Sequence, residues 1–263
     1  MCAKKARHFP ETPEGLSVTL LRLKAIIIVQ CSLAYILAFF LVMNAILPDI
    51  SKIKTRVTIK VYNGKTFIKR SVSPYSKDFV RSAELPKYVT GAIIAAEDGS
   101  FFRHKGVNID ETLRAARYDI LHLKLKYGGS TITQQLVKNA YLTREKTFRR
   151  KITEIITAVR VENKLTKRQI LDYYINIAEF GKGIYGIKQA SQVYFNKSPH
   201  ELTPKEAAML AVVIPQPKAR GKELLTKQKE EFQKRRVARI IARMKLRGNF
   251  APLSGTDGFL PRR

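Results

Sequence analysis

The feature that constrains this chain most is an uncharged apolar run, Ala25 to Leu47, reading AIIIVQCSLAYILAFFLVMNAIL. At about 1.5 Å per residue it makes a helix of roughly 34 Å, enough to cross a bilayer core of about 30 Å. It is too long for the apolar region of a signal peptide, and it lacks a small-residue cleavage site. It therefore reads as an uncleaved signal anchor; the alternative is a buried core helix. The first 24 residues carry Lys4, Lys5, Arg7, Arg22 and Lys24 against Glu11 and Glu14, a net of +3. By the positive-inside rule the N-terminus stays in the cytoplasm and the bulk of the chain is exported. Lys52, Lys54 and Arg56 follow the run closely and weaken that signal.

Charge bounds the partners. The net charge over 263 residues is +28, which leaves +25 on the exported part. That excess calls for an anionic partner, and export argues against nucleic acid. An acidic membrane surface, or a lipid-linked phosphate lying in it, fits better. The only cysteines are Cys2 and Cys31, so the exported part has no disulfide and no thiolate metal site. His8, His104, His122 and His200 show no ligand spacing, which argues against zinc. At 45% hydrophobic residues the chain can bury a real core.

Beyond the anchor, Arg56 to Tyr62 alternates apolar and polar, Asn63-Gly64 follows, and Thr66 to Val72 completes a small β-hairpin. Everything further on reads as helix. Pro86 opens one that runs to Glu97. Phe148 to Lys164 is amphipathic, with Ile152, Ile155, Ile156 and Val159 on one face. Thr166 with Gln169 and Thr203 with Glu206 are capping boxes. Pro215 and Pro217 stop the helix that Thr203 opens. Glu223 to Arg247 is a long basic helix ending at Gly248. The layout is a cytoplasmic segment 1–24, an anchor 25–47, a linker and hairpin 48–73, a mainly α domain 74–248 and a tail 249–263.

Three polar clusters interrupt the helices. Glu97-Asp98 follows the apolar IIAA; an apolar flank raises a carboxylate's pKa and makes it a usable proton acceptor. An ordinary helix-end ion pair is the plain alternative. GGSTITQQLVKN, Gly128 to Asn139, offers hydroxyls and amides at Ser130, Thr131, Thr133, Gln134 and Gln135, and a phosphate-suited charge at Lys138. A capped helix start explains the same residues. Arg150 and Lys151 share a helix side with Glu154, as catalytic groups or as surface salt bridges. Together the clusters supply what glycosyl transfer from a pyrophosphate needs: a carboxylate to take a proton and cations to stabilise the leaving group. The glycines of FGKGIYG, after Tyr174, Asn176, Glu179 and Phe180 that wall the site, read as a tight helix connection. Tyr118 to Tyr127 mixes leucines with lysines, as a membrane-dipping segment or as half-buried packing.

AAEDGSFFRHKG, GGSTITQQLVKN, RRKITE, ILDYYINIAEFGKGIYGIKQASQVYF and ELTPKEAAMLAVVIPQP resemble, in order, the five motifs of family 51 glycosyltransferases, the peptidoglycan glycosyltransferases of bacterial cell-wall synthesis. The resemblance covers about residues 74 to 247. The transpeptidase set of serine-x-x-lysine, serine-x-asparagine and lysine-threonine-glycine is absent, which points to the monofunctional, membrane-anchored branch. The resemblance implies a mainly α, lysozyme-like fold with head and jaw lobes, and places Tyr118 to Tyr127 in the jaw. It implies polymerisation of lipid II onto a nascent glycan chain at the outer face of the inner membrane, within reach of cell-wall synthesis proteins. Glu97 matches the catalytic base. Glu154 matches the second essential glutamate, acting directly or through a divalent cation (Mg or Mn). Lys138, Arg150 and Lys151 match the pyrophosphate-holding cations; Asp98, Phe101, His104, Ser130, Thr131, Gln135 and Asn139 match residues lining the cleft. The alternative enzyme is a lytic transglycosylase or muramidase.

Overall fold

The computed structural model describes residues 13–122, 129–143, 145, 147–226 and 230–246. The chain divides into two units, Met1–Leu47 and Pro48–Arg263. The first holds one helix, α1 (Pro13–Ile46), whose stretch Leu20–Phe39 is long and apolar enough to cross a membrane. The helix begins well ahead of Ala25, with Pro13 in its first turn, where a missing N–H costs nothing. Its large apolar side chains, Leu21, Ile28 and Leu37 among them, are exposed.

The second unit starts with the expected hairpin. Strands β1 (Val57–Tyr62) and β2 (Phe67–Val72) pair antiparallel, Val57 opposite Val72 and Tyr62 opposite Phe67. Val57, Ile59 and Val61 are buried while Thr58 and Lys60 are exposed, the period-two pattern of a strand with one covered face. The turn closes because Asn63 Oδ1 accepts the N–H groups of Lys65 (3.0 Å) and Thr66 (2.8 Å). Gly64 supplies φ +100° there, which a side chain would resist.

The rest is mainly helical: α2 (Lys87–Glu97), α3 (Ile109–His122), α4 (Ile132–Tyr141), α5 (Phe148–Glu162), α6 (Lys167–Ile177), α7 (Ile187–Phe195), α8 (Pro204–Val213), α9 (Pro217–Thr226) and α10 (Glu230–Leu246). Thr166 and Thr203 close the two expected capping boxes, and Thr131 closes a third with Gln134. Helix α2 packs on α8 and α10, and α4 packs on α5, α6 and β1. Small buried residues, Ala92 and Ala95 on α2 and Ala207, Ala208 and Ala211 on α8, let those two backbones approach. Helix α6 is the most enclosed: Ile170, Tyr173, Tyr174, Ile175 and Ile177 are all essentially buried. Each such side chain contributes about 1.5–3 kcal/mol of transfer free energy.

Three expectations are corrected. The glycine connection after α6 is a small antiparallel hairpin, β3 (Glu179–Gly181) and β4 (Ile184–Tyr185), not a bare loop. Gly186 follows it at φ +84°, where a Cβ would lie 2.7 Å from the Asn176 carbonyl oxygen. The basic helical stretch starts at Pro217, ahead of the expected Glu223, because Pro217 opens α9 as well as ending what precedes it; residues 227–229, between α9 and α10, lie outside the described residues. The tail 249–263 lies outside the described residues. Finally, α5 does not bury its isoleucine face. Thr153, Glu154, Thr157, Ala158 and Val161 face inward, while Ile152 and Val159 are exposed. The inward side is mixed: it packs Ala158 and Val161 and carries Glu154, whose charge two cations offset there.

Candidate active site

The site is assembled where α2 ends. Asp98 leaves the helix at φ −157° while its N–H still bonds the Ile94 carbonyl. Its carboxylate is 2% exposed; it accepts the backbone N–H of Ile132, the first residue of α4 (3.0 Å), and meets His104 Nε2 at 2.9 Å. A carboxylate on the N-terminal amides of a helix is favoured by dipole and hydrogen bond alike. Asp98 thus fastens α4 to the end of α2. Thr131, the N-cap of α4, donates its hydroxyl to the Gly106 carbonyl (2.6 Å). Gly106 sits at φ +87°, where a Cβ would lie 3.0 Å from the Ala158 backbone.

This bracing sets Gln135 of α4 against Glu97. Gln135 Nε2 donates to Glu97 Oε2 (2.8 Å), and the Tyr174 hydroxyl donates to Gln135 Oε1 (2.9 Å). Glu97 Oε1 is enclosed without a hydrogen-bond partner among the described residues. Burial pushes the Glu97 carboxyl above its usual range and Asp98 adds to this, while the Gln135 bond, Lys138 and Arg220 oppose it. The net rise is what a proton acceptor working near neutral pH requires.

The second cluster lies on α5. Glu154 is 2% exposed, and its oxygens are taken by Arg150 (2.9 Å) and Lys151. Thr147 caps the helix by accepting the Arg150 N–H. Lys151 also donates to Ser130 Oγ (3.1 Å), joining this cluster to the start of α4. Lys138 interacts with both carboxylates. Its surroundings lower its ammonium pKa, chiefly by desolvation and then through Arg150 and Lys151, against the pull of Glu154 and Glu97. Lys138 is nonetheless exposed, so solvent screens these charges.

The structure brings Glu97, Gln135, Lys138, Ser130, Arg150, Lys151 and Glu154 into one connected group, with Asn139 exposed beside Lys138 on α4. It sets others behind the wall. Phe101 is fully buried, with the Lys167 ammonium 4.4 Å over its ring. Asp98, Thr131 and His104 Nε2 are engaged in the bracing just described, and Gln134 Oε1 in the capping box, while His104 Nδ1 is buried without a hydrogen-bond partner among the described residues. Of the supposed wall residues, Asn176 clamps the Val80 backbone at both N–H and carbonyl, and Phe180 is core. Tyr118 and Leu121 are exposed on α3, and 123–127 and Gly128 lie outside the described residues.

Arg220 is the residue that sequence reading missed. It acts on Glu97 electrostatically from α9 and donates to the Val212 carbonyl at 2.8 Å. One arginine among 49 basic residues carries no signal in the sequence. As for a divalent cation, no three His, Cys, Asp or Glu side chains gather as a metal site among the described residues, and both Glu154 oxygens hold cations.

The chain is similar to known proteins. The biosynthetic peptidoglycan transglycosylase of Shewanella frigidimarina is 44% identical over 162 residues, 61% of this chain and 71% of that protein. Penicillin-binding protein 1A of Neisseria gonorrhoeae is 36% identical over 173 residues, 66% of this chain, and penicillin-binding protein 1F of Bacillus subtilis is 47% identical over 130 residues, 49% of this chain. The matched stretch is 22% and 18% of those two proteins, so the chain spans only about a fifth of their length. The profile described as Transglycosylase matches residues 64–245, most of the second unit, and the chain therefore belongs to the transglycosylase family of glycosyltransferases, with its mainly helical, lysozyme-like fold.

Proposed function

We propose that this chain is a peptidoglycan glycan-chain polymerase acting on lipid II and a growing lipid-pyrophosphate-linked glycan. One observation carries the reading: a desolvated carboxylate, Glu97, whose Oε1 has no hydrogen-bond partner among the described residues, shares the cation Lys138 with Glu154, whose oxygens hold two more cations. Glu97 takes the proton from the acceptor's N-acetylglucosamine 4-hydroxyl. That oxygen attacks the anomeric carbon of the donor from the face opposite its pyrophosphate. The new carbon–oxygen bond forms as the bond to the phosphate oxygen breaks, and the electron pair leaves with undecaprenyl pyrophosphate. Configuration inverts to a β-1,4 linkage.

Lys138, Arg150 and Lys151 stabilise the charge that develops on the leaving group, so no strong general acid is required. Glu154 holds Arg150 and Lys151 in place. Ser130 and Asn139 meet sugar or phosphate oxygens. Helix α1 anchors the chain in the cytoplasmic membrane, with the N-terminus inside and the second unit outside, by the charge asymmetry of the first 24 residues. Cleavage of preformed glycan has no phosphate to bind and leaves the three cations without a role.

The test supplies the full chain with labelled lipid II in detergent. Lysozyme-sensitive polymer is expected, with turnover lost by about 10²–10⁴-fold in Glu97→Gln while lipid II binding persists. Soluble fragments released from preformed glycan would indicate the lytic reaction, and loss of binding in Glu97→Gln would remove the base assignment.

A further inference from the structure

The pairing of Gln135 with Tyr174 has a consequence for Glu97. An ionised carboxylate only accepts hydrogen bonds, so Gln135 must turn its NH2 group toward Oε2. Its carbonyl then faces Tyr174, and Tyr174 must be the donor. The polarity of the relay follows from donor inventory and does not rest on which way the amide is drawn. Tyr174 is 0% exposed on the enclosed helix α6, so its ring has no freedom to leave. Its hydroxyl pKa is raised by burial first and then by Glu97 and Asp98, which keeps it a protonated donor at every working pH.

We propose that Tyr174 is a positioning residue for Glu97: it locks the Gln135 amide so that its NH2 group stays on Oε2 and keeps a donor on the carboxylate. The inference rests on Glu97 being the base and adds what tunes its proton affinity. Without the Tyr174 hydroxyl, Gln135 can rotate and present its carbonyl to the carboxylate, which repels the charged form. The charged groups that otherwise face Glu97 are Asp98, Lys138 of α4 and Arg220 of α9, while Arg243 of α10 engages the Ala95 carbonyl. None of these changes with Tyr174.

A matched control adjoins it. The Tyr173 hydroxyl is also buried, but it has no hydrogen-bond partner among the described residues, and its ring packs edge-on against Phe79. Tyr174→Phe, Tyr173→Phe and Gln135→Met are compared in the full chain in detergent micelles. Two readouts are taken: carboxyl NMR titration of Glu97, assigned with Glu97→Gln, and the acid limb of kcat/KM for lipid II polymerisation. Gln135→Met should raise the Glu97 titration by roughly one to two pH units, the size of one hydrogen bond to a charged group. Tyr174→Phe should move it in the same direction, and Tyr173→Phe should leave it in place. The acid limb should follow the titration. In the Gln135→Met background, Tyr174→Phe should add nothing, because Tyr174 acts only through Gln135. An unmoved Glu97 titration in Tyr174→Phe, or an equal shift in Tyr173→Phe, overturns the relay. Absence of polymer from the unmodified chain counts against the proposed function alone, since the titration reads the relay without turnover.

Discussion

At the scale of single residues, Glu97 is where opposing effects can be weighed. Burial, Asp98 and the negative end of the α2 dipole disfavour its charge, while Gln135, Lys138 and Arg220 favour it, and the net direction is upward. The folded chain therefore binds this proton more tightly than the unfolded chain, whose value is near 4.5. Stability from this group is present below that value and is lost as pH rises through the raised one. Glu97→Gln should accordingly raise Tm at neutral pH, and the gain should vanish below about pH 4.5. Thermal melts across pH measure this; a lower Tm for the variant at neutral pH would mean that the cations outweigh burial. Glu97, Glu154 and the Arg150 spacing were legible because helical periodicity alone brings residues 150, 151 and 154 to one side. The burial of Phe101 and the bracing by Asp98 and Thr131 were not, because sequence marks a polar run without saying which atoms the fold consumes.

At the scale of elements, the start of α4 organises the site. Its capping box, the Asp98 bond to Ile132 and the Thr131 bond to Gly106 converge on one helical turn. Thr131→Ala loses the N-cap oxygen and should cost about 1 kcal/mol. That corresponds to a Tm lower by about 2–4 °C for a domain of this size. Thr131→Ser, which keeps the oxygen, should recover most of it; equal losses in both variants would mean that the methyl group matters instead of the cap. Capping at Thr166 and Thr203 was readable from local sequence, since both partners lie within four residues. The orientation of α5 was not. Its isoleucines gave the stronger apolar pattern, yet the face carrying Ala158, Val161 and Glu154 turns inward, with two cations offsetting the buried charge.

At the scale of the whole molecule, an exposed apolar helix and an excess of +28 charges suggest two different attachments to a membrane. A helix spanning the bilayer is held by apolar area, whereas a basic surface is held by screened charge. The full chain should remain with membranes through washing in about 1 M salt, where the Debye length is about 3 Å, and should be released only by detergent. Release by salt would make the attachment electrostatic and remove the anchor. The order of the five motifs foretold the second unit as one mainly helical body, and the family match over residues 64–245 agrees.

The sequence by itself determined the apolar anchor segment, the hairpin with its Asn63-Gly64 turn, most helix starts, the family, and the residues to suspect around Glu97 and Glu154. These rest on periodicity, capping and motif order, all local along the chain. Only the tertiary structure decided which suspects face each other, that Arg220 acts on Glu97 from α9, and that Tyr174 reaches it through Gln135 across 39 and 38 residues of separation. Burial and hydrogen-bond partnership between distant segments depend on how α2, α4, α6 and α9 pack. No local pattern encodes that arrangement.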